Sequence, residues 1–500
     1  MKKIIIHLII LTLTLNSCDN QLDINQDKDS LPASNLPLNL QLPIAIAGIA
    51  GVQGSSWAII GGIWSQMFTQ NPNTSQYVNI DSYALGTIDE ISNNGWRAAY
   101  DALQDIRAVK TNALALKNWN YYLIATVLES YTFQILTDWY GDIPFTEANN
   151  ILILQPKFDD SEFIYQTIIA NIDKALAQDL STSTGIIPDQ DDLIFNGNMI
   201  NWVKFANTLK LKLYLRQTEV RPELAKNGIN NMLNNNVSFL DVDAAITGFS
   251  DAPNKSNPLY ETDRRQLNTK QNLVASTTLY TFLEVNNDLR LDTFYGDGVP
   301  LNQGDFNSQN NTNQYSIINL NPLSSLYFIS AAHSYLMQAE ALERYKNGLG
   351  AQNLYNKGIR AAFIKSPSFY NNDLTEDNQT WEFNAPFNAE TYIEEGGVYQ
   401  YPVNGSINDK LTAIIMQKWI ASYPDNGAEA FFEWQRTGIP KTSTVPQTNL
   451  NYIPGQFANA VTGVLGNNFP QRLVYPNSEL SRNNNAPNLT AITEPIWWNK

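Results

Sequence analysis

The sequence predicts a mostly α-helical protein with antiparallel helix pairs, one of them tetratricopeptide-like, and long irregular loops. Three observations carry this expectation. Apolar residues recur three and four apart through much of the chain, helical stretches follow one another across turns of a few residues, and aperiodic segments rich in Asn, Asp and aromatics separate the helical blocks. Five hundred residues with 43% hydrophobic and 11% aromatic content are ample for a buried core.

The chain opens on Met1-Lys2-Lys3, an apolar run from Ile4 to Leu15, and Leu15-Asn16-Ser17-Cys18. A charged start, an apolar stretch too short for a bilayer and a small residue before the cut make a secretory signal peptide. Leu-x-Ser-Cys resembles the bacterial lipobox, which implies lipidation of Cys18. An ordinary signal peptide with a chance cysteine is the alternative. Residues 1–17 are then the signal peptide, 18–40 a polar tether broken by Pro32 and Pro37, and 41–500 the folded domain. A multiply acylated terminus is held at a membrane far more firmly than a single chain would be. Beyond the signal, no stretch is expected to approach the roughly 18–20 apolar residues of a membrane helix.

Trp57, Ile60, Trp64 and Phe68 share one face of a first helix that stops by Pro72. Trp96, Tyr100, Leu103, Ile106 and Val109 mark a second, introduced by an Asn94-Gly95 turn, and a third runs from about Trp119 to Leu136. The few residues between these two make them antiparallel. Gly141 and Pro144 end the third helix. A further helix covers Asp160 to Asp179. From Asn201 to Arg216 the spacing fits a helix, but Leu209, Leu211, Leu213 and Leu215 also alternate with period two; a capping Asn201 and good helix formers favour helix. Residues 234–321 lose the helical period, and Asn302 to Gln314 has the polarity of an exposed loop. Leu323–Tyr345 and Ala351–Ile364, joined by Asn347-Gly348-Leu349-Gly350, form one tetratricopeptide-like unit, without a 34-residue repeat. A loop region at 366–406, a helical stretch from Asn408 to Glu433 and a Pro- and Asn-rich end complete the chain.

Composition removes several functions. The formal charge of −16 becomes two units more negative when Lys2 and Lys3 leave with the signal, which disfavours a nucleic-acid partner. With Cys18 lipidated, the mature chain has no thiol for a disulfide, zinc or nucleophilic catalysis. His333 is its only histidine, placed in a small-residue helix as a packed, hydrogen-bonded imidazole rather than a catalytic one. Asp189-Gln190-Asp191-Asp192 departs from the spacing of a calcium loop, so no metal and no cofactor are expected.

Several stretches together resemble the SusD/RagB family of Bacteroidetes surface lipoproteins, in its SusD-like branch. They are Gln417-Lys418-Trp419-Ile420-Ala421 running on to Glu433-Trp434-Gln435-Arg436-Thr437-Gly438, Pro470-Gln471-Arg472-Leu473-Val474-Tyr475-Pro476, Asp138 to Ala148, Trp202 to Leu213, and Gln338-Ala339-Glu340-Ala341. They keep the family's order from lipobox to C-terminus; residues 240–320 and 370–400 do not align. The resemblance implies a SusD-like fold with four tetratricopeptide-like helix pairs. It also implies a SusC-like TonB-dependent transporter as partner, on which the lipoprotein sits as a lid that captures an oligomeric nutrient. Asp19, Asp23, Asp27 and Asp29 then resemble an export signal to the outer face of the outer membrane, with a solvated tether as the alternative.

Sugar rings stack on aromatic faces while amides and charged groups bond their hydroxyls. Exposed loop aromatics among amides are therefore the ligand-binding candidates: Tyr77 and Tyr83, Tyr260 beside Asp263 and Arg264, and Trp381 near Tyr399 and Tyr401. Of these, Tyr77, Tyr83, Tyr260 and Trp381 are selected; filling the gap between loop and scaffold is the competing role of each. Trp139, Trp202, Trp419 and Trp434 lie in helical stripes or family motifs and are assigned to structure. The expected function is oligosaccharide binding and transfer to the transporter, without catalysis. Peptide capture by the same kind of lid is the alternative, and a glycoside hydrolase using Glu394-Glu395 is the less favoured one. Assembly or adhesion without a ligand is a third class.

Overall fold

The structure is a computed structural model that describes residues 36–269, 271–308, 314–365 and 389–499. Cys18, Trp381, the acidic tether residues and most of the tether lie outside these residues. Helices dominate and short strand pairs tie the loops to them. α1 covers Leu38–Val52 and passes through a π-helical turn, Gln53–Trp57, into α2, Ala58–Trp64. Residues 38–40 therefore belong to the folded body rather than to the tether. The run Leu38–Trp64 is long and apolar enough to cross a membrane by composition, contrary to expectation, but 72% of its most apolar window is buried inside the protein. It is a core helix. Phe68 departs from the predicted stripe into β1, Phe68–Gln70.

α3 is Glu90–Ala115 and α4 is Trp119–Tyr140. The Asn94-Gly95 pair sits inside α3 rather than before it. A Cβ on Gly95 would lie 3.1 Å from the Trp57 indole nitrogen, so the glycine lets α3 close on the first π turn. Asn118 caps α4 by accepting the Tyr121 N–H, and Gly141 follows the helix at φ +82°. α5, Ser161–Leu176, is capped by Asp160, and α6, Met199–Arg216, by Asn198 rather than Asn201. Helix wins over the period-two reading because Leu209, Leu211, Leu213 and Leu215 are all buried: α4 and α5 on one side and α9 on the other surround α6. α7, Pro222–Asn234, follows with proline in its first turn.

The middle region contributes β2, Ala244–Ile246, β3, Leu273–Ala275, and α8, Thr277–Val285. β1 pairs antiparallel with β3, and β2 with β4, Leu326–Ile329. Residues 323–330 are thus not helical. α9 starts at Ala331, capped by Ser330, and ends at Tyr345. It packs on α10, Ala351–Lys365, across the glycine turn, as expected of a tetratricopeptide-like unit. The stretch from Asn408 divides into α11, Ile407–Ala421, with a Ser406/Asp409 capping box, and α12, Gly427–Thr437, which ends on Gly438 in the left-handed region.

α12 crosses α2 at glycines. A Cβ on Gly61 would stand 2.0 Å from the Ala428 nitrogen, and one on Gly427 2.3 Å from the Gly62 nitrogen. No larger residue fits. Beside this crossing, α4, α6, α9, α11 and α12 bury a charge junction. Arg216 contacts Glu429 at 2.6 Å, Glu433 at 2.9 Å and Asp138 at 3.3 Å; Lys212 contacts Glu429 at 2.8 Å; Arg436 contacts Glu340 at 2.8 Å and Glu433 at 2.6 Å; Lys418 bridges Glu433 and Glu340. Burial pushes Glu340 and Glu429 up, but the facing cations outweigh it and hold each at about 2. His333 borders the junction, bonded to Ser330 and Ser422 at 2.9 Å each, as the packed reading requires; burial, then Lys365 and Lys418, lower it to about 3. A cavity of about 20 Å³ between Lys212, His333, Lys418 and Glu429 is wide enough for one water.

Candidate functional site

Two larger cavities flank one irregular helical segment in the middle region. Asn257 caps Pro258–Tyr260 by accepting the N–H groups of Leu259 and Tyr260, and the chain continues into a second π-helical turn, Glu261–Arg265. π turns are concentrated at functional sites because the extra residue per turn redirects side chains. Here Glu261, Thr262 and Gln266 face one cavity, while Tyr260, Arg264 and Arg265 face the other.

The first cavity has a volume of about 810 Å³. Its walls come from the end of α1, the first π turn, the start of α3, residues 190–196 and the loop after β2. The two π turns meet where a Cβ on Gly54 would be 2.9 Å from Pro258. Gln76, Asn94, Gln190, Asn196, Asn254 and Gln266 give the walls an amide lining, with Tyr77 and half-buried Phe249 as the aromatic surfaces. Amides offer donors and acceptors at fixed spacing without net charge, as paired sugar hydroxyls require. Glu261 is already engaged by Ser256 and by Arg265 at 3.1 Å.

The second cavity, about 540 Å³, is lined by Tyr260, Arg264, Arg265, Asn268 and the segments around Asp297 and Asn319. Tyr260 carries the Arg265 guanidinium over its ring at 5.5 Å. Arg264 donates to the Ile318 carbonyl at 2.8 Å and meets Asp263 at 3.3 Å.

The sequence-selected tyrosines separate on this geometry. Tyr260 lines the second cavity. Tyr77 lines the first but is only 3% exposed, and its buried hydroxyl faces the Asp263 carboxylate. Burial and the nearby Asp263 charge raise its pKa. Tyr83 was expected to be exposed and is 2% exposed, held at φ +62° against Phe469 with ring centres 6.1 Å apart. It is a core residue here because the short helix Val78–Asp81 folds its loop back onto β1. Tyr399 and Tyr401 are also buried, donating to Asp288 at 2.7 Å and to Glu343, so they plug loop against scaffold. Trp139, Trp202, Trp419 and Trp434 are core, as expected. Asn302 to Gln314 is not simply an exposed loop: buried Gln303 donates to Asp81 at 2.6 Å.

Sequence reasoning gives no amide of the first cavity a ligand-binding role: Asn94 reads only as a turn residue and Gln190 only as part of an acidic cluster. Asn and Gln are so frequent in this chain that only tertiary folding selects the converging ones. Gln190 lies within the acidic cluster 189–192, whose Asp192 accepts from Trp202 at 2.7 Å and from the backbone of residues 194, 195 and 197. That carboxylate is a structural cap.

A family model described as starch-binding and associating with the outer membrane matches residues 59–458. Solved structures share the fold. A SusD homolog from Bacteroides uniformis is 22% identical with a TM-score of 0.69, covering 92% of this chain and 99% of its own. A SusD/RagB family protein from Bacteroides thetaiotaomicron is 19% identical, TM-score 0.72, covering 93% and 99%. A chitin-binding SusD homolog from Flavobacterium johnsoniae is 20% identical, TM-score 0.70, covering 91% and 98%. No curated protein matches. Glu394 and Glu395, the pair considered for hydrolysis, are exposed in the turn after Glu390–Ile393. The chain belongs to the SusD-like family, whose members are non-catalytic, glycan-binding proteins associated with the outer membrane.

Proposed function

We propose that this protein captures a neutral oligosaccharide in the 810 Å³ cavity and passes it to a SusC-like TonB-dependent transporter, held by lipid on Cys18 at the outer face of the outer membrane. The observation that carries the reading is the convergence of six amides and two aromatic surfaces on a single cavity in a family of glycan-binding proteins. A carboxylate-bearing ligand is disfavoured there, because Lys255 is the only cation among the lining residues and Glu90 and Glu261 are acidic. Tyr260 supplies a stacking surface for residues of the ligand that extend into the second cavity. Trp381 remains a candidate contact and Tyr83 a weaker one, needing its loop to open.

Calorimetric titration across neutral glycans, acidic glycans and peptides tests this. Binding of a neutral glycan is expected. Since a hydrogen bond contributes about 1 kcal/mol, Asn94→Ala with Gln266→Ala weakens it about tenfold or more at unchanged melting temperature. Response to peptides alone replaces the glycan by a peptide cargo.

A further inference from the structure

The tether enters the body at an end of unusual composition. Leu38 begins α1, and Asn112 near the end of α3 donates to Gln41 at 3.2 Å, so the first turns of α1 lie beside the last turns of α3. Asn118 donates to the Ile186 carbonyl at 2.7 Å, and the Thr184 N–H to the Lys117 carbonyl at 3.2 Å, which brings the loop 183–187 to the same end. Leu40, Ile44, Leu114 and Ile186 are each between 44% and 54% exposed there, Leu116 is 59% and Ile187 74%. Isolated exposed aliphatics are ordinary, but six collected at one end of a helix pair are not. The charge pattern is the second observation. Residues 36–46, 111–118 and 181–188 contain no acidic residue and one lysine, Lys117, with Asp179 and Asp189 at the borders of the loop, although the whole chain has 48 acidic residues and a net charge of −16.

We propose that this end is a lipid-contact face, on which the body rests against the membrane that holds its anchor. The proposal depends on the reading of Cys18 as lipidated. Nineteen residues separate Cys18 from Leu38, and an extended chain spans at most about 3.3–3.6 Å per residue, so the tether by itself permits a wide range of orientations. A patch of aliphatics without carboxylates narrows that range: the side chains enter the interfacial layer and Lys117 meets lipid phosphate, while the acidic remainder of the surface is kept away from anionic lipid. The body then stands on the α1/α3 end.

The chain's single cysteine makes the test direct, because an introduced thiol is the only one free once Cys18 is acylated. The acylated chain carrying Leu116→Cys, labelled with a fluorophore, is placed on vesicles of phosphatidylethanolamine and phosphatidylglycerol containing nitroxide lipid. Leu450→Cys is the reference: it is fully exposed in a loop whose Gln447 bonds Thr278, a partner of Gln66 beyond the far end of α2. Quenching at 116 and none at 450 is expected. Adding Leu40→Gln, Leu114→Gln and Ile187→Gln should abolish it without moving the melting temperature. Equal quenching at both positions, or quenching at 116 that survives the three substitutions, overturns the proposal. So does a label at 116 that is shielded only when a transporter is present, which marks a protein contact instead. Mass measurement of the acyl group on Cys18 reads the anchor separately, so a missing anchor is distinguished from an idle patch.

Discussion

The helix junction and the wall behind the cavities both bury carboxylates, and they treat them oppositely. At the junction Glu340, Glu429 and Glu433 each face two or more cations, and all three are held below the ordinary carboxylate range. Behind the cavities, Asp81 takes hydrogen bonds from Thr69 at 2.6 Å, Gln70 at 2.9 Å and Gln303 at 2.6 Å but faces no cation. Burial pushes it up to about 6 against those bonds. Asp263, with Arg264 as its one facing cation and Tyr77 and Asn272 as hydrogen-bonding neighbours, is also raised, because burial outweighs all three. Asp138 is the intermediate case: it belongs to the junction but meets Arg216 alone, and burial raises it. The number of facing cations decides the direction. The helix junction is charge-compensated, whereas Asp81 and Asp263 stay buried at a cost.

Removing one member of the junction breaks the comparison most forcefully. Glu433→Ala leaves Arg216, Lys418 and Arg436 short of a partner, and deleting one side of a buried pair costs about 3–5 kcal/mol. Urea unfolding should show that loss; a change below about 1 kcal/mol would mean the junction does not stabilise the fold.

Acid titration sharpens the contrast. The stability contributed by Glu340 and Glu429 is complete above their unfolded value of 4.5 and disappears as pH falls towards 2. His333, lowered to about 3, contributes above 6.5 and loses that contribution as pH falls through its folded value. Asp81 has the reverse sign: its contribution is full below 3.8 and is lost as pH rises through about 6. On acidification from pH 7 to 4.5, Asp81 therefore offsets part of the His333 loss. Asp81→Asn should steepen the fall in unfolding free energy over that interval, by an amount on the order of 1–3 kcal/mol. An unchanged slope removes Asp81 from the account.

The smallest effect belongs to the wall. Tyr77→Phe deletes a buried hydroxyl whose one hydrogen-bonding neighbour is Asp263, so unfolding free energy should change by about 1 kcal/mol or less. Glycan affinity should be retained, because the substitution keeps the ring with which Tyr77 lines the cavity. A large destabilisation would show that Asp263 depends on that hydroxyl.

Local signals predicted much of the scaffold. The apolar period of α3 and α4, the short connection between them, the glycine stop at Gly141 and the glycine turn between α9 and α10 are all properties of neighbouring residues. The start of α9 was placed too early because residues 326–329 pair with 244–246, about eighty positions away, and the apolar run alone does not reveal that partner. α1 was partly assigned to the tether because Pro37 and Asn39 look like linker residues, although Pro37 immediately precedes the helix. At the candidate site, Tyr77 and Tyr260 were legible as aromatics among polar neighbours. Tyr83 was not distinguishable from them, since its burial depends on Phe469 and Gly463 from the far end of the chain. The six amides were unreadable for the same reason: they converge from five separated segments.

The glycine crossing of α2 and α12 also has a mechanical consequence. Under the proposed anchoring at Cys18, tension on the tether would enter the body at α1 and run along the continuous α1–α2 rod. At Gly61, Gly62 and Gly427 that rod is interlocked with α12 at backbone contact, and α12 carries Glu429, Glu433 and Arg436 into the charge junction. Force thus passes from backbone to backbone and spreads through ion pairs into four further helices. The loop after β2, which closes the first cavity, lies outside this route. A pull on the leash loads the frame and leaves the binding loops slack.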